Sequence, residues 1–253
     1  MLNGSPHHAP SSRTRVAALL ALSTLVMTLG AVLLLPIGII TLCRARRLYS
    51  RVAGILGHTI LHLWGIRLVV HREGAWPAGQ VVYVSNHPCT LDPFILVALR
   101  LPNTRFFLSG FLQKIVPLGI IARLMGTFFT VSQDRPTERV RIFQRADRIL
   151  RHTGESVYLS PEGQRVTTGE IGAFNKGAFH LATSLGAPIV PLYFFVPREV
   201  DPGSGYDARP GTVHVWVYPP INTHDWRLED VVANKERVRE LYLAWHRERR
   251  SSG

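Results

Sequence analysis

Apolar and polar positions divide the chain into two regimes. Val16 to Cys43 runs 28 residues without a charged side chain. A straight helix of that length would measure about 42 Å, against a hydrocarbon core of about 30 Å. Pro36, with Gly30 and Gly38 to either side, offers a kink, a tilt or a re-entrant turn to absorb the excess. The run is longer than a signal-peptide core and has no convincing small-x-small cleavage site after it. Leu48 to Trp64 follows with Val52, Ile55, Leu56, Thr59, Ile60 and Leu63 at helical spacing, a second helix suited to lie in a membrane interface.

From Ile66 onward the apolar runs become short and are bounded by Gly, Pro and Asn. Ile66–Val70, Val81–Val84, Phe106–Leu108, Thr127–Val131, Val157–Leu159, Ile189–Phe195 and Val213–Tyr218 read as strands, with Gly79 in the turn between the first two. Helical stretches alternate with them, notably Thr137–Leu150 with Val140, Ile142, Phe143, Ala146 and Leu150 on one stripe. Asp225–Arg250 predicts a closing amphipathic helix with Leu228, Val231, Val232, Val238, Leu241, Tyr242 and Trp245 as its apolar face. Alternation of this kind predicts an α/β fold. A mixed, largely parallel sheet would carry helices on both faces and follow N-terminal membrane-associated helices. The expected divisions are a disordered basic tail at 1–15, membrane-anchoring helices at 16–65, the α/β domain at 66–222 and a basic amphipathic helix at 223–253.

Charge sharpens this picture. Lys and Arg number 29 against 17 Asp and Glu, and the first carboxylate is Glu73. The first 72 residues hold eight Arg and no acid, so most of the excess positive charge lies beside the longest apolar run. Basic residues in that company suit an anionic membrane surface, where each is worth about 1 kcal/mol near the headgroups. No stretch interleaves basic and aromatic residues as a nucleic-acid reader would, so nucleic acid is not expected as a partner. Two cysteines, Cys43 and Cys89, are too few for a disulfide framework or a cysteine zinc site. His58 and His62 stand at i and i+4 without a third ligand nearby, and no metal is expected.

The candidate chemistry lies at the ends of predicted strands, where α/β sheets gather ligands. Ser85-Asn86-His87-Pro88-Cys89-Thr90-Leu91-Asp92 follows the run Val81–Val84. A histidine exchanges a proton near neutral pH, and a carboxylate on one ring nitrogen fixes the tautomer that leaves the other free to act as a base. Asp134-Arg135, Ser160-Pro161-Glu162-Gly163-Gln164-Arg165 with Phe174-Asn175-Lys176-Gly177, and Pro188-Ile189-Val190-Pro191 end further runs. Arg135 and Arg165 offer planar forks to a phosphate.

These four blocks, in this order, resemble the glycerophospholipid acyltransferases, the group of 1-acyl-glycerol-3-phosphate acyltransferases. Asn86-His87 through Asp92 is similar to the family's NHxxxxD block, and Pro161-Glu162-Gly163 to its F-P-E-G-T-R block. Ser160 stands where Phe is usual and Gln164 where Thr is usual. The resemblance implies a membrane-bound O-acyltransferase with His87 as general base and Asp92 orienting it. It implies an acyl thioester, acyl-CoA or acyl carrier protein, as co-substrate rather than a bound cofactor. The implied acceptor is a lysophospholipid, most directly lysophosphatidic acid, giving phosphatidic acid. Arg135, Glu162, Gly163, Arg165 and Lys176 would hold it, Arg135 and Arg165 on the phosphate and Glu162 with Gly163 at the glycerol end. The implied place is the cytoplasmic (inner) membrane, with the catalytic domain facing the cytosol. Two alternatives stay open at this level: the same chemistry on another lyso-lipid, such as an ornithine lipid or glycolipid, or a lipid-binding membrane protein without catalysis.

Overall fold

The computed structural model describes residues 13–203 and 208–251. The expectation of a disordered tail falls mainly on residues outside these. Its last three residues, from Arg13, instead open the first helix.

Helix α1 (Arg13–Ile40) is continuous, with Pro36 inside it. It stops where Leu42 and Cys43 take left-handed backbone angles, and α2 (Arg46–Leu63) folds back on it. The long apolar run therefore does not re-enter on itself; the two helices together make the hairpin, with Arg44, Arg46 and Arg47 at its turn. One stripe of α1, comprising Ser23, Met27, Gly30, Ala31, Leu34 and Gly38, is buried. Trp64 Nε1 donates to Ser23 Oγ at 3.0 Å. The opposite face leaves Leu25, Leu29, Val32, Leu33, Ile39 and Ile40 exposed, a contiguous apolar surface of the kind that marks a membrane or partner contact.

The strands are β1 (Ile66–Arg72), β2 (Val82–Ser85), β3 (Thr104–Ser109), β4 (Phe128–Thr130), β5 (Ser156–Leu159), β6 (Ile189–Phe195) and β7 (Gly211–Val217). They form one sheet in the order β1-β7-β6-β2-β5-β3-β4. Every neighbouring pair is parallel except β6 with β7, which makes the sheet mixed and largely parallel as expected. The turn at Gly79 does not join partners. β1 lies at the sheet edge beside β7, with β7 and β6 between it and β2.

Short helices α3 (Asp92–Ala98) and α4 (Val116–Leu124) join α1 and α2 over one sheet face. α5 (Pro136–Thr153), α6 (Gly177–Leu185) and α7 (Val231–Ser251) cover the other. The strands alternate accordingly: Tyr83, Tyr158 and Leu192 join the first core, whereas Val82, Val84, Val157, Leu159 and Tyr193 join the second. The last helix begins later than expected, because residues Leu228–Asp230 form a separate 3₁₀ turn. Its buried stripe is Val231, Asn234, Val238 and Tyr242, and Leu228, Val232 and Leu241 are exposed. Two of the arginines at its far end are used inside the protein: Arg249 lies 4.8 Å over the Trp216 ring and Arg250 pairs with Glu170 at 3.2 Å.

α2 approaches α3 closely at Gly57. A Cβ there would lie 2.6 Å from Val97 Cγ2 and 2.8 Å from the Phe94 carbonyl oxygen. The carbonyl belongs to the helix that carries Asp92 and cannot rotate away. Gly57→Ala is expected to lower stability by about 1–3 kcal/mol through overpacking, despite the better helix propensity of alanine. Denaturant unfolding of the purified protein in detergent would reveal it as a lower midpoint.

Candidate active site

From β2 the chain moves towards β3, while from β5 it moves towards β6, so the two crossovers leave the adjacent pair β2–β5 in opposite directions. Such a reversal opens a crevice beyond the strand carboxyl ends. His87 lies two residues past β2 and Glu162 three past β5.

The loop from Asn86 to Leu91 turns back so that Asp92, the first residue of α3, meets His87. Its Oδ2 accepts a short hydrogen bond from His87 Nδ1. The same carboxylate accepts from Cys89 twice, Sγ to Oδ1 at 2.8 Å and backbone N to Oδ2 at 3.4 Å. Asp92 is thus buried and satisfied on both oxygens. With the His87 Nδ1 hydrogen committed, Nε2 is the nitrogen that can take a proton. The loop is anchored behind by Asn86, whose side chain exchanges hydrogen bonds with the Phe194 backbone at 2.9 and 2.8 Å.

Glu162 holds the loop from the other strand. Its carboxylate, 3% exposed with its residue, accepts from the His87 backbone N–H at 2.6 Å and from that of Gly172 at 2.7 Å. Val166 N–H donates in turn to the His87 carbonyl at 2.9 Å. Both backbone groups of His87 are therefore fixed by the segment that follows β5. Gly163 has φ of +69°, and a Cβ there would come within 2.7 Å of the Asn175 amide nitrogen. Arg165 donates to Thr90 Oγ1, closing a further link between the two loops.

Electrostatics follow from this packing. Burial opposes charge on His87, but the Asp92 carboxylate, through charge and hydrogen bond, and then Glu162 outweigh it, so the imidazole is held above its ordinary value. Burial pushes Glu162 up, against the two backbone N–H groups that favour its charged form. Burial, then the charge of Asp92, raise the Cys89 thiol well above its ordinary value, which removes it as a ready nucleophile.

The crevice opens into a cleft of about 860 Å³. His87, Asp92, Arg135, Gly163 and Arg165 all line it, so five of the residues singled out from sequence come together. Glu162 sits behind the wall, occupied with the backbone of the His87 loop. Lys176 lies elsewhere, in a neighbouring groove. Arg135 is mostly exposed and 3.6 Å from Glu138. Lys114 and Arg139 also line the cleft; no spacing rule had singled them out, since each stands in a different loop or helix. Pro93, Leu96 and Leu108 are shared with a small apolar cavity of about 40 Å³ between α1–α4 and β3, whose wall includes Met27, Ile60 and Ala122. Among the described residues, no three His, Cys, Asp or Glu side chains gather as a metal site would require.

The family model described as Acyltransferase matches residues 67–194, just over half of the chain and the whole of this site. The chain belongs to the acyltransferase family. Among curated relatives, the 1-acyl-sn-glycerol-3-phosphate acyltransferase of Limnanthes alba is 26% identical over 78% of this chain and 69% of its own length. The 1-acyl-sn-glycerol-3-phosphate acyltransferase alpha of Ovis aries is 28% identical over 88% of this chain and 79% of its own. The crystal structure of the 1-acyl-sn-glycerophosphate (LPA) acyltransferase PlsC of Thermotoga maritima superimposes with a TM-score of 0.69, at 18% identity, over 91% of this chain and 97% of that one. At that identity the likeness bears on the fold. This O-acyltransferase shares its α/β architecture with that neighbour.

Proposed function

We propose that this acyltransferase moves a fatty acyl group from an acyl thioester to the free hydroxyl of 1-acyl-glycerol-3-phosphate, at a membrane surface, giving phosphatidic acid. The observation that carries the reading is the His87–Asp92 pair opening onto a cleft lined by Lys114, Arg135, Arg139 and Arg165. His87 Nε2 takes the acceptor's hydroxyl proton as the oxygen attacks the thioester carbonyl. Asp92 stabilises the imidazolium. The tetrahedral intermediate then collapses, the C–S bond breaks, and the departing thiolate recovers the proton from His87. The acceptor oxygen is itself the nucleophile, so no acyl-enzyme forms. The guanidinium groups of Arg135 and Arg165 suit the acceptor phosphate.

Membrane association is supported by the exposed face of α1 and by Phe111 and Val116, exposed beside the cleft mouth. The acceptor would reach the cleft from the bilayer, and the active site would face the cytoplasmic leaflet. Transfer from labelled oleoyl-CoA to lysophosphatidate by the purified protein tests the reading; no labelled phosphatidic acid with this donor or an acyl-carrier donor would overturn it.

Two outcomes follow. A base must be uncharged to work, and His87 is held above the ordinary 6.5. Hence kcat/KM is expected to rise with pH to a plateau, with its midpoint above that value, and to be lost on acidification. A midpoint at or below it in the pH–rate profile would contradict the assignment. The end of the donor's acyl chain would enter the small apolar cavity. Ala122→Leu, which fills it, is expected to lower kcat/KM for oleoyl-CoA relative to decanoyl-CoA by about tenfold, measured by competition between the two donors.

A further inference from the structure

The second sheet face carries a groove that the mechanism does not use. It holds about 1110 Å³ between α5, α6 and the start of α7, and its lining includes Arg139, Arg148, Lys176, His180 and Lys235. Asp147, the acid in that lining, is already engaged by Arg151 at 2.9 Å and Ser184 at 2.7 Å. Among the described residues, no carboxylate pairs with Arg139, Arg148 or Lys176. Arg139 spends one N–H on the Val131 carbonyl at 3.2 Å. The amino-terminal end of α6 opens on the same space through Gly177, adding partial positive charge.

Position completes the picture. Gln133, Arg139 and Phe143 line both this groove and the catalytic cleft, so the two are continuous. The groove lies on the face covered by α5–α7, whereas the apolar surface of α1 and the small apolar cavity lie on the opposite face. A molecule in the groove thus lies away from the apolar surface of α1, beside the cleft that His87 lines.

We propose that this groove binds the nucleotide end of a coenzyme A thioester, its phosphates on Arg139, Arg148 and Lys176, with the pantetheine arm passing Phe143 into the cleft. The proposal rests on the thioester-dependent reading above and narrows its donor. Several unpaired cations in a groove of this size suit a ligand with several phosphates and a base. An arm carried by a protein brings a single phosphate and would leave most of them unused. Lys176 then serves the donor rather than the acceptor.

The test compares oleoyl-CoA with oleoyl-N-acetylcysteamine, a thioester without the nucleotide, using the full-length protein in detergent and lysophosphatidate as acceptor. In Arg148→Glu the ratio of kcat/KM for the two donors is expected to fall about tenfold, equivalent to about 1.4 kcal/mol, chiefly through KM for oleoyl-CoA. Lys176→Gln should lower it in the same direction and by less. Arg148 is exposed and, among the described residues, has no hydrogen bond or ion pair, so these variants should fold, which thermal unfolding checks. An unchanged ratio overturns the proposal, as does a rise in KM for lysophosphatidate instead, or transfer in the wild type from acyl carrier protein but not from oleoyl-CoA. Should no thioester support transfer, the functional reading itself fails. Calorimetric titration with desulfo-CoA then decides the groove separately: binding lost in Arg148→Glu supports it, and no binding to the wild type overturns it.

Discussion

His87→Ala is expected to lower acyl transfer at least about a hundredfold, the usual contribution of a positioned base, while the protein stays folded. The side chain contributes little packing: it is 31% exposed, and its contact of consequence is with Asp92. What the variant loses is the acceptor for the hydroxyl proton. Asp92→Asn should fall comparably for a different reason. An amide in place of Oδ2 presents a donor as readily as an acceptor, so the ring can turn its unprotonated nitrogen inward and leave Nε2 protonated. It also strips the buried Cys89 thiol and N–H of a charged acceptor, so some loss of stability accompanies it. Single-turnover transfer beside circular dichroism separates the two. Undiminished transfer in folded His87→Ala would remove the base from the mechanism.

Glu162→Gln is expected to cost about 1–3 kcal/mol of stability and about tenfold in kcat. The carboxylate accepts from two backbone N–H groups, those of His87 and Gly172. An amide offers one oxygen and turns an N–H₂ towards the other donor, leaving a buried N–H unmet at about 1–3 kcal/mol. Burial already holds the carboxyl above its ordinary range, so charge on this group is not itself a source of stability. It is kept for geometry, because only a carboxylate can accept on both sides here. Urea unfolding measures the first effect. The kinetic split measures the second: a brace on the catalytic loop alters kcat, whereas a residue touching the acceptor would raise KM for lysophosphatidate with stability intact.

The sequence located most elements because local patterning encodes them. Each predicted strand is a short apolar run, and each was found within a residue or two. The stripe Ile142, Phe143, Ala146 and Leu150 likewise marks α5. Where a boundary depended on distant packing, it moved. The face of α7 is set by how Val231, Val238 and Tyr242 seat on the sheet, and Tyr242 OH reaches the carbonyls of Val84 and Leu192 at 2.9 and 3.2 Å. Nothing within 225–250 records those partners.

The His–Asp spacing, the basic apolar amino-terminal region and the order of the four blocks were determined by the chain itself. Residues a few positions apart are held together by the backbone whatever surrounds them. Tertiary structure decided the rest. It put β1 beside β7, drew Glu162 across 75 positions to hold the backbone of His87, and sent Lys176 to a groove on the far face. Such assignments depend on strand order and crossover direction. A sequence block names a residue but does not say which wall of the crevice its side chain will face.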